Sequence, residues 1–72
     1  MEGESKMFRI TDYTKAMPVR MVTNNTSDIR DIVISITGRE SDGVKAEIVA
    51  SDMGFGGIYT DIWYRIECER TF

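Results

Sequence analysis

Apolar and polar positions alternate most regularly in the last part of the chain. From Ile58 to Arg70 the even-numbered positions are mostly apolar, the odd-numbered ones carry charged and aromatic side chains, and neither Gly nor Pro interrupts the segment. A period of two residues is that of a β-strand with one buried face. The pattern therefore predicts one long strand whose even-numbered side chains, Ile58 through Cys68, point into the core.

Two shorter alternating segments lie near the N-terminus. In residues 7–13, Phe8 and Ile10 alternate with polar side chains, and residues 17–23 repeat the pattern. Pro18 has no N–H to donate to a ladder, so the second segment is predicted to be an edge strand or to begin at Pro18. The short connection between the two segments predicts a hairpin.

The isoleucine-rich segment of residues 24–38 fits two structures. β-Branched residues dominate it and three isoleucines occupy alternate positions, which favours a strand: Ile32, Ile34 and Ile36. Its apolar residues also follow helical spacing, at positions 29, 32, 33 and 36. Candidate N-cap residues at 26–28 and a glycine at Gly38 match the usual start and end of a helix. These capping signals favour a helix over residues 29–37, with a strand as the alternative.

Residues 44–51 are predicted to form a third strand, because apolar and polar side chains alternate through them. A helix over residues 43–53 is the alternative, since four apolar residues also have helical spacing: Ala46, Val49, Ala50 and Met53. The glycine-rich residues 54–57 are predicted to form a connecting loop.

Together these elements predict an α+β fold: a small antiparallel sheet with one helix on one face, in the order ββαββ. The alternative is a five-stranded all-β small barrel, which requires residues 29–37 to be a strand. Residues 1–6 are polar and charged, so they are predicted to be a disordered tail, and residues 7–72 are predicted to form a single small domain.

Composition limits how such a domain can be stabilised. A chain of 72 residues buries about 60% of the surface that its unfolded form exposes, so its core is small. One cysteine and no histidine exclude an intrachain disulfide and remove the usual zinc ligands. Self-association is the remaining common way to stabilise a small scaffold, so a homo-oligomer is expected.

Charge and hydropathy bear on partners and location. The formal net charge of −3 argues against a nucleic-acid partner, which usually requires a basic surface. No apolar run approaches the roughly 20 residues of a membrane span, and the N-terminal residues do not resemble a signal peptide. Since the one cysteine is also unpaired, a cytoplasmic protein without a membrane partner is expected.

Candidate catalytic and cofactor chemistry is sparse. Gly38 and Gly43 have the spacing of a phosphate-binding loop, but Val44 stands where that loop needs its lysine. The carboxylates of the last strand are typical of a solvated strand face, and Cys68, on the predicted core face, is typical of an inert buried thiol. The prediction is therefore a protein that is not an enzyme and has no metal site and no cofactor.

The odd-numbered face of the last strand is the one candidate site. If a helix covers the even-numbered face, the other face is open, and it carries the residue types that dominate protein interfaces. The candidate protein-binding residues are Tyr59, Asp61, Trp63, Arg65 and Glu67. In an all-β barrel or sandwich, the same face would be a second core layer.

The expected function is that of a small non-enzymatic protein-interaction module that binds a larger protein of unknown identity and inhibits or regulates it. Small acidic chains of this kind are frequent among accessory proteins of phages and mobile elements, which is an analogy of size alone. Two other hypotheses follow from the same residues. The aromatic side chains of the candidate site could stack on single-stranded nucleic acid, or the chain could be a structural subunit of a homo-oligomer.

Overall fold

Two helices pack on one face of a four-stranded antiparallel sheet in this computed structural model, which describes residues 5–70. The elements are β1 (Met7–Asp12), β2 (Val19–Thr23), α1 (Thr26–Thr37), α2 (Glu40–Asp52), β3 (Ile58–Thr60) and β4 (Tyr64–Glu69). The strands lie side by side in the order β2-β1-β4-β3. The predicted α+β class is confirmed. The order of elements is ββααββ, which matches the predicted ββαββ only in part.

The core lies between the helices and the two central strands. In the register of β1 and β4, Phe8 pairs with Cys68 and Ile10 pairs with Ile66, so these four buried side chains share the covered face. The helices close the core with residues that are also fully buried: Ile29, Val33, Ala46 and Ala50. Because burying a large aliphatic or aromatic side chain contributes about 1.5–3 kcal/mol, this single layer supplies most of the hydrophobic stabilisation.

The predicted N-terminal hairpin is present. β2 begins at Val19, directly after Pro18, and forms one edge of the sheet, as the proline predicted. The predicted disordered tail, residues 1–6, lies outside the described residues apart from its last two. Of these, Lys6 donates a hydrogen bond from Nζ to the carbonyl oxygen of Ser51 at 3.3 Å.

Capping residues at both ends explain why the isoleucine-rich segment is a helix, α1. Asn25 is the N-cap, and its Oδ1 accepts a hydrogen bond from the Ser27 N–H at 3.0 Å. The predicted N-cap, within residues 26–28, is therefore too far along the chain. Gly38 ends the helix as predicted: its φ is 74°, and its N–H donates to the Ile34 carbonyl oxygen at 2.7 Å. These bonds satisfy backbone groups at the helix ends, which offsets the modest helix propensity of isoleucine.

The predicted strand over residues 44–51 is wrong, because this segment belongs to α2. The buried residues of the helix recur at helical spacing: Gly43, Ala46 and Ala50. The larger apolar residues of the segment, Val44 and Ile48, are exposed. Because these three residues are small, α2 can approach α1 closely. The resulting close packing stabilises a helix with this face buried.

Gly43 lies at a very close contact between the two helices. A Cβ atom at this position would lie 2.5 Å from Ile34 Cγ1 and 2.7 Å from the Arg30 carbonyl oxygen. Both distances are below 3.0 Å, closer than a Cβ atom can lie to a nonbonded carbon or oxygen atom without a shift of the structure. Arg30 Nε also lies 3.8 Å from Glu47 Oε1, which adds an ion pair across the same interface. The helices therefore meet where α2 has no side chain.

The predicted long strand over residues 58–70 is a hairpin of β3 and β4. The Asp61 N–H donates to the Tyr64 carbonyl oxygen at 2.8 Å, which leaves Ile62 and Trp63 as a two-residue turn. The Asp61 side chain supports this turn, because its Oδ1 accepts a hydrogen bond from the Ile62 N–H at 2.6 Å. Aspartate often occupies the first position of such turns, so Asp61 was the one turn signal in an otherwise uninterrupted alternation.

A two-residue turn changes which positions of the hairpin share a face. Odd-numbered residues of β3 pair with even-numbered residues of β4, so Tyr59 pairs with Ile66 and faces the helices. The core prediction is wrong for Ile58, Thr60 and Ile62, which are exposed. It is confirmed for three residues of β4: Tyr64, Ile66 and Cys68.

Cys68 provides a direct test of the covered face. Its side chain is fully buried, and burial raises the pKa of the Cys68 thiol. We expect Ellman's reagent to modify the native protein at least about tenfold more slowly than the urea-unfolded protein, because the thiol must be exposed to react. A Ser41→Cys variant is the control, since Ser41 is exposed and its added thiol should react in the native state. Rapid modification of the native wild-type protein would contradict the burial of Cys68.

Candidate protein-binding site

The structure places the five candidate residues in three separate regions. Tyr59 lies on the sheet face that the helices cover. Asp61 and Trp63 lie between β3 and β4. Arg65 and Glu67 lie on the opposite, open face of the sheet. The prediction that all five share one open strand face is wrong, because the turn interrupts the strand that was expected to carry them.

Tyr59 packs against the outer end of the core. Its ring centroid lies 6.1 Å from that of Tyr64, with an interplanar angle of 43°, and Lys45 Nζ lies 5.9 Å from the Tyr59 ring centroid. Burial of the Tyr64 ring is the main reason that the pKa of its hydroxyl is raised above the ordinary value of 10.0. Tyr59 shields this edge of the core and does not share a face with the charged candidates Arg65 and Glu67.

Two loops meet at one end of the sheet. Residues 13–18 connect β1 to β2, and residues 61–63 connect β3 to β4. Antiparallel pairing brings both loops to the end where β1 finishes and β4 begins. The Tyr13 N–H donates to the Trp63 carbonyl oxygen at 3.0 Å, which ties the loops together. We call this region the loop end.

The loop end exposes four large apolar side chains, which we call the loop-end patch. Met17 is 77% exposed, Ile62 is 78%, Trp63 is 51% and Tyr13 is 42%. Single exposed apolar residues are ordinary on protein surfaces, whereas a group of them at one end of a small domain is typical of a binding surface. Of the five candidate residues, Trp63 belongs to the patch and Asp61 supports its turn.

Sequence reasoning missed three residues of the patch. The periodicity assigns Tyr13 and Met17 to strands and Ile62 to the core, but all three lie in loops. Two signals could have found Met17 and Ile62. Pro18 starts β2 and so leaves Met17 outside it, and Asp61 marks the turn that exposes Ile62.

A small cavity opens beside Trp63. Its volume is about 170 Å³, and six residues line it: Thr14, Ile36, Thr37, Arg39, Asp42 and Trp63. Because a cavity of about 150 Å³ accommodates a benzene ring, this one has room for one aliphatic or aromatic side chain. Arg39 and Asp42 bring one cationic and one anionic group to the same place. The cavity therefore combines room for one side chain with a lining in which four of six residues are polar or charged.

Asp12 holds the loop of residues 13–18 in place, a role that sequence reasoning missed. The residue is buried, and its Oδ1 accepts hydrogen bonds from the Thr14 N–H at 2.8 Å and from the Thr14 hydroxyl at 2.5 Å. Lys15 Nζ lies 3.9 Å from Asp12 Oδ2. The Thr14 hydroxyl, with its N–H and the charge of Lys15, holds the pKa of Asp12 below the ordinary value of 3.8, although burial acts in the opposite direction. The start of the loop that carries Tyr13 and Met17 is thus anchored by hydrogen bonds within the chain.

The sheet face away from the helices is open and carries charged residues at its centre. Glu67 lies between two arginines: its Oε1 is 4.0 Å from Arg9 Nη1, and its Oε2 is 3.7 Å from Arg65 Nη2. Val22 and Ile58 flank this group on the two edge strands and are exposed. The strand residues on this face include no aromatic side chain within the described part of the chain.

No protein-family model, curated protein or solved structure is significantly similar to the chain. Within residues 5–70, no group of three or more His, Cys, Asp or Glu residues is arranged to hold a metal ion. No helix in that range is long and apolar enough to cross a membrane. A larger cavity, of about 670 Å³, lies at the other end of the domain, where residues 5–6 and 24–26 meet the end of α2.

Proposed function

We propose that this chain is a small, non-enzymatic protein-interaction module that binds a larger protein through the loop-end patch and thereby regulates or inhibits it. The observation that carries the proposal is Trp63, which is half-exposed, tied to Tyr13 and adjacent to a cavity that suits one side chain. Tryptophan is among the residues most enriched at interface hot spots, because it offers a large apolar area together with an N–H donor.

Rigidity of the loop end supports this role. Immobilising a flexible side chain in an interface costs about 0.5–1.5 kcal/mol, and ordering a loop adds to that cost. Here Asp12 fixes one loop through Thr14, and Asp61 fixes the other through its bond to the Ile62 N–H. One position of each loop is therefore already held in the free protein, which lowers the cost of ordering the loops on binding.

The buried titratable groups also fit a non-catalytic role. The sequence contains no histidine, and a general acid or base must lie within hydrogen-bond reach of its substrate. Asp12 is buried and already bonded to Thr14, and Cys68 is fully buried with a raised pKa. Neither group can reach a substrate, so the proposal assigns the chain to binding alone.

Trp63→Ala is expected to weaken binding of the partner by about 30-fold or more, because truncating a hot-spot residue costs about 2 kcal/mol or more. The partner is first captured from the native cells with the wild-type chain and identified by mass spectrometry. Its dissociation constant is then measured with purified components by isothermal titration calorimetry. The matched control is Ile48→Ser, which removes a comparably exposed apolar side chain from α2 and is expected to bind like the wild type.

Equal affinities of the Trp63→Ala and Ile48→Ser variants for the partner would contradict the proposal. The proposal would also fail if every protein captured by the wild-type chain were also captured by the Trp63→Ala chain. Urea unfolding of both variants shows whether each is folded, so a loss of binding can be separated from a loss of structure.

A further inference from the structure

We infer that the open face of the sheet is a self-association surface through which two copies of the chain form a symmetric dimer. Strand register arranges its side chains in two rows that cross all four strands. The central row, from β2 to β3, is Val22, Arg9, Glu67 and Ile58. The second row, in the same direction, is Arg20, Thr11, Arg65 and Thr60.

The central row is complementary to its own reverse. From β2 to β3 its side chains are apolar, positive, negative and apolar. A two-fold axis parallel to the strands, between β1 and β4, lays this row against the reversed row of a second copy. Arg9 of each copy then faces Glu67 of the other, and Val22 of each copy faces Ile58 of the other.

The second row holds two arginines and no acidic residue, and its Thr11 is buried at 3% exposure in the single chain, so this row contributes no charge pairing. Arg20 faces Thr60 of the second copy, and Arg65 faces Thr11. A two-fold axis that crossed the strands along the central row would instead oppose Arg9 to Arg9 and Glu67 to Glu67, and like charges across an interface are strongly unfavourable. Of these two axes, charge complementarity in the central row favours the one that follows the strands.

The edges of the central row supply an apolar driving force. Val22 is 51% exposed and Ile58 is 56% exposed in the single chain, and the proposed dimer covers both. Stacked sheets lie about 10 Å apart, which leaves room for side chains from both faces to interdigitate. The ion pairs that Glu67 makes with Arg9 and Arg65 within one chain are long, at 4.0 and 3.7 Å. A second copy would place Arg9 opposite Glu67 in a water-depleted layer, where their attraction is stronger.

The size of the face predicts a weak dimer. Four strands span about 20 Å across, and six residues of a central strand span about 20 Å along it. The two copies together would bury about 800 Å², less than the roughly 1,200–2,000 Å² of stable complexes. We therefore expect a dissociation constant on the order of 0.1 mM.

Sedimentation equilibrium between about 10 μM and about 1 mM covers this range and tests the proposal through charge reversal. Arg9→Glu alone and Glu67→Arg alone should each weaken dimerisation at least about tenfold, because each opposes like charges twice across the interface. An equimolar mixture of the two variants should dimerise again, since the glutamate introduced at position 9 of one variant faces the arginine introduced at position 67 of the other. Each substitution places two like charges side by side, at positions 9 and 67 of the same chain, and mixing the variants does not remove that repulsion. Recovery in the mixture can therefore come only from contacts between copies.

Val22→Lys is a second variant that should weaken the dimer, and Ile48→Ser on α2 should leave it unchanged. Monomeric wild-type protein at about 1 mM would overturn the proposal. Dimerisation of both charge-reversal variants at the wild-type level, or no recovery in their mixture, would also overturn it. Trp63→Ala should dimerise like the wild type, so the loop end and the open face can be tested independently.

Discussion

Replacing Gly43 by valine is expected to lower the free energy of unfolding by about 3 kcal/mol, at the upper end of the usual cost of overpacking a core. The side chain would enter a space already occupied by Ile34 Cγ1 and by the Arg30 carbonyl oxygen, which a Cβ atom would approach to 2.5 and 2.7 Å. The second of these is backbone, so α1 must move as a whole. Urea unfolding followed by circular dichroism measures the change.

Gly43→Ala separates packing from helix propensity by the sign of its effect. Alanine favours a helix by about 1 kcal/mol relative to glycine, so propensity alone predicts a more stable protein. The contact with Arg30 predicts a less stable one. Gly54→Ala, outside α2, is the control for the effect of the same substitution on the unfolded chain, because a Cβ atom there would meet nothing within 4 Å. If Gly43→Ala stabilised the protein, α2 would not be held as close to α1 as the structure shows.

Removing the Asp12 carboxylate is expected to have the next largest effect. Asp12→Ala should lower the free energy of unfolding at pH 7 by about 2 kcal/mol, because hydrogen bonds to a charged group contribute about 1.5–3 kcal/mol. The loss falls on the loop of residues 13–18, which Thr14 anchors to Asp12. Urea unfolding at pH 7 measures it, and an unchanged midpoint would contradict this role for the carboxylate.

The contribution of Asp12 also depends on pH in a defined direction. Its pKa is lower in the folded chain than the ordinary value of 3.8, so the folded state favours the ionised carboxylate. Stabilisation is therefore fully present above about pH 5 and is lost as the pH falls through the folded-state pKa. Asp12→Asn keeps the shape and one acceptor oxygen but cannot ionise. The stability difference between wild type and Asp12→Asn should shrink from pH 6 to about pH 2, and a constant difference would contradict the lowered pKa.

The first helix could be predicted because its signals are local. Gly38 adopts the left-handed conformation that ends α1, and side-chain capping begins at Asn25, one residue before the predicted range. Such signals depend on a few neighbouring residues, and they outweighed the strand propensity of the isoleucines. The same is true of Pro18, whose missing N–H places β2 at the edge of the sheet.

The second helix could not be chosen from its own residues, because the choice depends on α1. Its core face is Gly43, Ala46 and Ala50, which carry little apolar area, while Val44 and Ile48 remain exposed. Hydrophobic periodicity gives most weight to large side chains, so the segment resembled an alternating strand. The small face becomes favourable only when Ile34 and the α1 backbone lie against it.

The candidate site was only partly predictable for a related reason. The residue types were informative, since Trp63 lies in an exposed apolar group and Glu67 lies between two arginines. How these residues are grouped in space could not be predicted, because the grouping depends on a turn within a regular alternation. That turn contains neither Gly nor Pro to mark it. Only the hydrogen bonds of Asp61 reveal where the strand divides.

That turn has an evolutionary consequence. Its length decides which residues β3 shows to solvent, so one inserted or deleted residue between Asp61 and Tyr64 would exchange the two sides of β3 while β4 keeps its place against β1. Tyr59 would move to the outer surface, and Ile58 and Thr60 would turn inward. A single codon gained or lost could thus give the sheet a new aromatic recognition surface, at a short edge strand where the fold tolerates the exchange most easily.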